Sequence, residues 1–209
     1  MSSRLIKFAG QAIELHYSGA LFWQKQGMLV VGDLHLEKAS SYYKFGQFLP
    51  PYDTAETLRH LAAAIFHFAP TRLLLLGDVF HDGAAWQRMA VSDRDHLLTL
   101  LDGIDTVWIE GNHDEHFVPP GHLGQTVYKF GGITFRHIMD MTGQLPEISA
   151  HYHPVALIRH RGVRVRRPCF VCTPQRLLMP AFGALAGGLD VGDAALTSLR
   201  GPDTQIYLL

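Results

Sequence analysis

The sequence predicts an α/β fold with a two-sheet β-sandwich core flanked by α-helices. Three observations predict it. Apolar runs with strand character alternate with helical periodicity through the first half of the chain. Strand-like runs dominate the last third. Three of the apolar runs close within two residues on a glycine followed by Asp or Asn. That order suits two packed sheets with helices outside.

The first strand-like runs are residues 12–17, 20–23 and 28–31. Residues 53–68 read as a helix. Asp53 followed three residues later by Glu56 is a capping-box variant, and Leu58, Leu61, Ala62, Ile65 and Ala69 form an apolar face at helical spacing. Residues 73–76 are four leucines, which suit a strand buried on both faces. A second helix is expected at 91–101 with Ser92 as its N-cap, then another buried strand at 106–109. The last third predicts strands at 125–130, 132–136, 155–158, 163–167, 169–172 and 205–209.

A chain of 209 residues suits one domain, residues 1–209. Its 47% hydrophobic and 18% charged residues exclude a disordered chain. A formal net charge of -1 excludes a polycation, so any nucleic-acid contact must come from a local patch. No apolar run approaches the ~18 residues of a membrane span, and the first ten residues lack a signal core. Cys169 and Cys172 are the only cysteines. Their C-x-x-C lies inside an apolar run, so they read as two small core residues on opposite strand faces. Without a disulfide framework, the expected compartment is the cytoplasm.

Histidine is the outlier, with thirteen in the chain, and the positions cluster. Val31 runs into Gly32-Asp33-Leu34-His35. Leu76 runs into Gly77-Asp78-Val79-Phe80-His81. Ile109 runs into Glu110-Gly111-Asn112-His113-Asp114. His137 follows the strand at 132–136, and His151-Tyr152-His153 place two imidazoles on one side of an extended segment. Carboxylates crowded at the end of a buried sheet repel one another, and an unpaired buried charge costs several kcal/mol. Divalent cations remove that penalty. Imidazole with carboxylate suits Mn²⁺, Fe²⁺ or Zn²⁺. Two ions ~3.5–4 Å apart can clamp both oxygens of a phosphoryl transfer and supply hydroxide at neutral pH.

The motifs GDLH, GDVFH, GNHD, RH and HYH, spanning residues 30–154, resemble the calcineurin-like metallophosphoesterase family. The resemblance implies a four-layer sandwich fold and two divalent metal ions. It implies Asp33, His35 and His153 on one ion, Asn112, His137 and His151 on the other, and Asp78 bridging. It also implies His113 as the acid that assists the leaving oxygen, with Asp114 orienting its ring. Two positions depart from the commoner pattern. His81 stands where an Asp is usual, in a version that resembles the family's double-strand-break nucleases. Ala150 stands where a Gly usually precedes the last His-x-His. GDLHLEK, LPPYDT, LGDVFHD and the late block PAFGALAGGLDV are similar to bacterial ligase-associated DNA damage response endonucleases of this family. That similarity implies a manganese-dependent phosphodiesterase or endonuclease acting on DNA in repair, beside a ligase and a helicase. It sets no oligomeric state.

Arg159, Arg161, Arg164, Arg166, Arg167 and Arg176 lie in one stretch without an acid. Guanidinium pairs phosphate oxygens in a planar fork. Arg164 and Arg166 share a strand face, so with His81 they are candidate substrate contacts. Residues 36–52 carry Lys38, Tyr42, Tyr43, Lys44, Phe45, Phe48 and Tyr52. Bases stack on such rings, but the plainer expectation is rings packed onto the core. The alternative function is a small-molecule phosphoesterase, for a nucleotide or phosphoprotein, with the same metals in an enclosed pocket. A non-catalytic binding module would have lost ligands or His113, and every expected ligand type is present.

Overall fold

In the computed structural model, which describes residues 3–115 and 117–209, the first seven strands lie side by side in chain order. They are β1 (Arg4–Phe8), β2 (Gln11–Leu15), β3 (Leu21–Trp23), β4 (Met28–Val31), β5 (Arg72–Leu76), β6 (Asp105–Ile109) and β7 (Gly124–Gln125). Pairing is antiparallel from β1 to β4 and parallel from β4 to β7. The second sheet takes β8 (Tyr128–Phe130), β9 (Ile133–Phe135), β10 (Glu147–Ser149), β11 (Pro154–His160), β12 (Val163–Cys172), β13 (Arg176–Leu178) and β14 (Leu189–Asp190) in the order 14-11-12-13-10-9-8. A further strand, β15 (Gln205–Leu208), pairs with β12.

Side-chain alternation along β4 and β5 decides the layering. Leu29, Val31, Leu73 and Leu75 face outward against helices α2 (Asp53–Phe68) and α3 (Val91–Leu101), through Leu58, Leu61, Leu97 and Leu101. Met28, Val30, Leu74 and Leu76 face inward, against Phe135, Ile148, Phe170 and Leu177 of the second sheet. The outer side of that sheet is closed by the 3-10 segment Ala194–Leu199, whose Leu196 and Leu199 pack on Val171 and Leu178. Cys169 belongs to this outer cluster and Cys172 to the inner one, as their spacing predicts.

Several local expectations change. Residues 125–130 are not one strand: the chain leaves the first sheet after Gln125 and enters the second at Tyr128. Residues 163–172 are one strand, with Pro168 opposite Val155. Neither expected helix cap forms. Tyr52 and Ala90 occupy the N-cap positions, without side-chain bonds. The Asp53 carboxylate instead accepts from the amide of Ala39, in the short helix α1 (Lys38–Ser41). A tertiary partner therefore takes the carboxylate that a capping box would use. Strands β1, β10, β13 and β14 were not read from the sequence, being short or polar.

Candidate dimetal centre

Strands β4, β5 and β6 are parallel, so their C-terminal ends share one edge of the first sheet. Asp33 and His35 follow β4, Asp78 follows β5, and Asn112 and His113 follow β6. In the second sheet, β9 and β10 are also parallel and deliver His137 and the His151–His153 pair. The first two loops are zipped together by main-chain bonds from Asp33 N to Gly77 O (3.1 Å), His35 N to Asp78 O (2.9 Å) and His81 N to Leu36 O (3.0 Å).

Local backbone geometry is unusual here. Asp33, His35, Glu37, Asp78, His151 and His153 all have positive φ, between 45° and 71°. Left-handed conformations of non-glycine residues are unfavourable and collect at functional sites. Gly77, at φ +80°, is required for a second reason. A Cβ there would strike the His137 ring, and one on Gly111 would strike the Asp78 carboxylate and amide.

The donor atoms form two groups that share a carboxylate. His35 Nε2 lies 3.1 Å from His153 Nε2, and His153 Nε2 lies 3.3 Å from Asp33 Oδ1. His137 Nε2 lies 3.2 Å from Asn112 Oδ1, 3.3 Å from His151 Nδ1 and 3.2 Å from Asp78 Oδ2. The same Asp78 oxygen is 3.9 Å from His35 Nε2. Within Asp33, His35 and His153, and within Asp78, His137 and His151, donor atoms fall within 4.8 Å of one another. His137 Nδ1–H donates to the Leu76 carbonyl at 3.0 Å, which turns Nε2 to the centre in the manner of a metal ligand. The donor set therefore fits two divalent ions.

Burial and neighbouring charge set protonation. Burial drops the His35 imidazole to about 2, so this ring is neutral. Burial also pushes Asp78 up, but the hydrogen bond and charge of His137 outweigh it and hold the carboxyl at about 2. His137 is raised, because its bond to Asp78 and the nearby Asp33 outweigh its own burial. Its Nε2, 3.2 Å from Asp78 Oδ2, faces the place a cation would take, so a metal there competes with protonation of that atom.

The catalytic candidate His113 stands at the rim. Its amide donates to Asp78 Oδ1 at 2.9 Å, and its Nδ1–H donates to the His81 carbonyl at 2.8 Å. Nε2 is thereby left facing the centre, 4.0 Å from Asp78 Oδ2. The His81 ring stacks on that of His113, with centroids 4.9 Å apart.

A model of calcineurin-like phosphoesterases matches residues 28–163. The chain belongs to this family. It is also similar to the crystal structure of Pseudomonas putida nuclease MPE, with 28% identity and a TM-score of 0.77, over 99% of this chain and 96% of that one. No curated protein matches. Membership of the calcineurin-like phosphoesterases makes this chain a hydrolytic phosphoesterase with a dimetal centre. No helix among the described residues is long and apolar enough to cross a membrane.

Set beside the family pattern, all seven expected ligands converge. Asp114 does not orient the His113 ring as expected. Its carboxylate accepts from the amides of Gly111 (2.9 Å), Val79 (2.7 Å) and Phe80 (3.1 Å), pinning the loops after β5 and β6 together. Ala150 fits where the family commonly has glycine: its φ is not positive, and its buried methyl fills the space left by Gly32, whose added Cβ would come within 2.8 Å of it.

The basic stretch divides. Arg176 is 8% exposed and donates to the carbonyls of Leu145, Gln175, Asp140 and Gly143, so it is structural. Arg164 is exposed opposite Arg159. Arg166 shares a cleft with His153. Rings expected to pack on the core do not: Phe45, Phe48 and Tyr52 are 70%, 81% and 73% exposed. Two supports escaped the sequence reading. Glu37 and Thr54 bond each other, tying α2 to the first metal loop. The amides of Phe182 and Gly183 donate to the carbonyls of Gly32 and Asp33, both at 3.0 Å. The glycine-rich block at 180–191 was the signal for the second.

Proposed function

We propose that this chain is a phosphodiesterase that cuts nucleic acid, DNA foremost. The observation that carries the choice of substrate is the exposed aromatic rim. Phe45, Phe48 and Tyr52 stand in solvent on a segment tethered by the Lys44–Asp82 ion pair, 3.8 Å, to the turn that bears His81. Exposed rings beside a reactive centre suit stacking bases. A small-molecule esterase would enclose its substrate. The full-length likeness to a nuclease supports the same reading.

Asp33, His35 and His153 would hold one ion, Asn112, His137 and His151 the other, and Asp78 both. The mixed oxygen and imidazole donors favour Mn²⁺, with Fe²⁺ and Zn²⁺ as alternatives. Bound there, the ions supply charge neutralisation and a nucleophile at neutral pH. His113 Nε2 protonates the leaving oxygen. His81 is a positioning residue, fixing His113 through both carbonyl and ring, and Asp114 keeps the two loops in register. A repair setting, with a ligase and a helicase as partners, rests on the sequence resemblance.

The test strips the protein of metal, restores Mn²⁺, Zn²⁺ or Mg²⁺, and compares bis-p-nitrophenyl phosphate, the monoester, and single- and double-stranded DNA. Diester and DNA cleavage with Mn²⁺ is expected. Monoester turnover far above diester turnover would replace this reading with the small-molecule one. No turnover with any ion would end both.

A further inference from the structure

Two clefts meet beside the centre. One, of about 310 Å³, is lined by His153, Arg166 and part of the glycine-rich block. The other, of about 850 Å³, runs along α2 past His60, Phe66 and His67, with Tyr17 and Arg167 across from them. Both are lined by Pro168, Ala181, Gly183 and Ala184, so they form one continuous groove. Its floor is bonded to the centre through the Phe182 and Gly183 amides on Gly32 and Asp33.

The charged side chains on the groove's lining, histidines aside, are all arginines. Among the described residues no Asp or Glu side chain lines either cleft, although the whole chain carries a net charge of -1. Arg59, also on the wall, is bridged to Glu56. Arg166 donates to the Gly188 carbonyl. Arg167 makes no ion pair among the described residues. Phe66 is 90% exposed and Tyr17 46%. Arginine with exposed rings along a walled channel is the composition that holds a nucleic-acid strand. Clefts of these volumes accept a drug-sized body, which suits a few nucleotides of one strand and not the girth of a duplex.

We propose that this groove carries a nucleic-acid strand to or from the dimetal centre, with Arg166 and Arg167 on its phosphates and Phe66 and Tyr17 against its bases. The proposal rests on the nuclease reading above and adds the path of the strand.

A fluorescein-labelled single-stranded oligonucleotide, titrated with the full chain in EDTA at several salt concentrations, tests it by anisotropy. Arg167→Ala should weaken binding and flatten the slope of log K against log salt by about 0.7, the value of one lost phosphate contact. Ala184→Trp, at an exposed position in the shared floor, should weaken binding about tenfold by filling the groove. In the manganese enzyme, both should lower kcat/KM for the oligonucleotide relative to that for bis-p-nitrophenyl phosphate. A wild-type protein that binds and cuts oligonucleotides, with both variants matching its affinity, slope and kcat/KM ratio, overturns the groove assignment alone. A wild-type protein that turns over the small diester but binds no oligonucleotide overturns the nuclease reading, and the groove with it.

Discussion

At the scale of single residues, the proposed roles divide between holding metal and moving a proton. Asp78 serves both donor groups and also receives the His113 amide. Asp78→Ala should therefore lose metal, read as ions per chain by atomic emission. His113 is set apart, with its Nδ1–H spent on the His81 carbonyl. His113→Ala should keep its metal content while kcat falls about 10²–10⁴-fold, the usual worth of a positioned acid. A His113→Ala protein that loses metal in step with activity would make His113 a ligand and not an acid.

At the scale of elements, two contacts between segments distant in sequence are exposed to test. Gly32 leaves β4 where Ala150 leaves β10, and the Ala150 methyl occupies the space between them. Gly32→Ala should destabilise the protein by about 1–3 kcal/mol through overpacking. Adding Ala150→Gly should recover most of that loss, a coupling that denaturant unfolding in a double-mutant cycle measures directly. Arg176, on β13, satisfies carbonyls of the loop before β10. Arg176→Ala should cost about 2–3 kcal/mol by leaving them bare. It should leave oligonucleotide affinity unchanged, because this arginine is not on the substrate surface.

At the scale of the whole molecule, metal and fold are coupled. The centre joins the two sheets at one edge, and it gathers buried carboxylates and positive-φ residues that the polypeptide alone holds unfavourably. Ions that bind only the folded state stabilise it by mass action. Raising Mn²⁺ to a hundred times its dissociation constant should add about 2.7 kcal/mol. For a chain of this size that is about 5–10 °C in Tm. The rise should track Mn²⁺ concentration in calorimetry and vanish in Asp78→Ala. An equal Tm in EDTA and in Mn²⁺ would mean the donor groups do not bind the ion in the folded protein.

Much of this was present in residue order. Residue order placed the metal-type side chains in turns within a few positions of apolar runs, and a run that is a strand delivers such a turn to a sheet edge; which of them would share an ion came from the family resemblance. The same patterning determined the two helices and the two-sheet core, since side chains alternate along a strand and recur along a helix. Only the tertiary structure decided what non-local contact controls. It gave Asp53 to the Ala39 amide instead of its own helix, and Asp114 to three backbone amides instead of the His113 ring. Arg176 went to the interior and the Phe45–Tyr52 rings to solvent. A polar side chain near several possible partners, or a ring with a choice of surroundings, takes whichever the packed sheets bring within reach, and the partners that won in other segments lie 14 to 36 residues away in sequence.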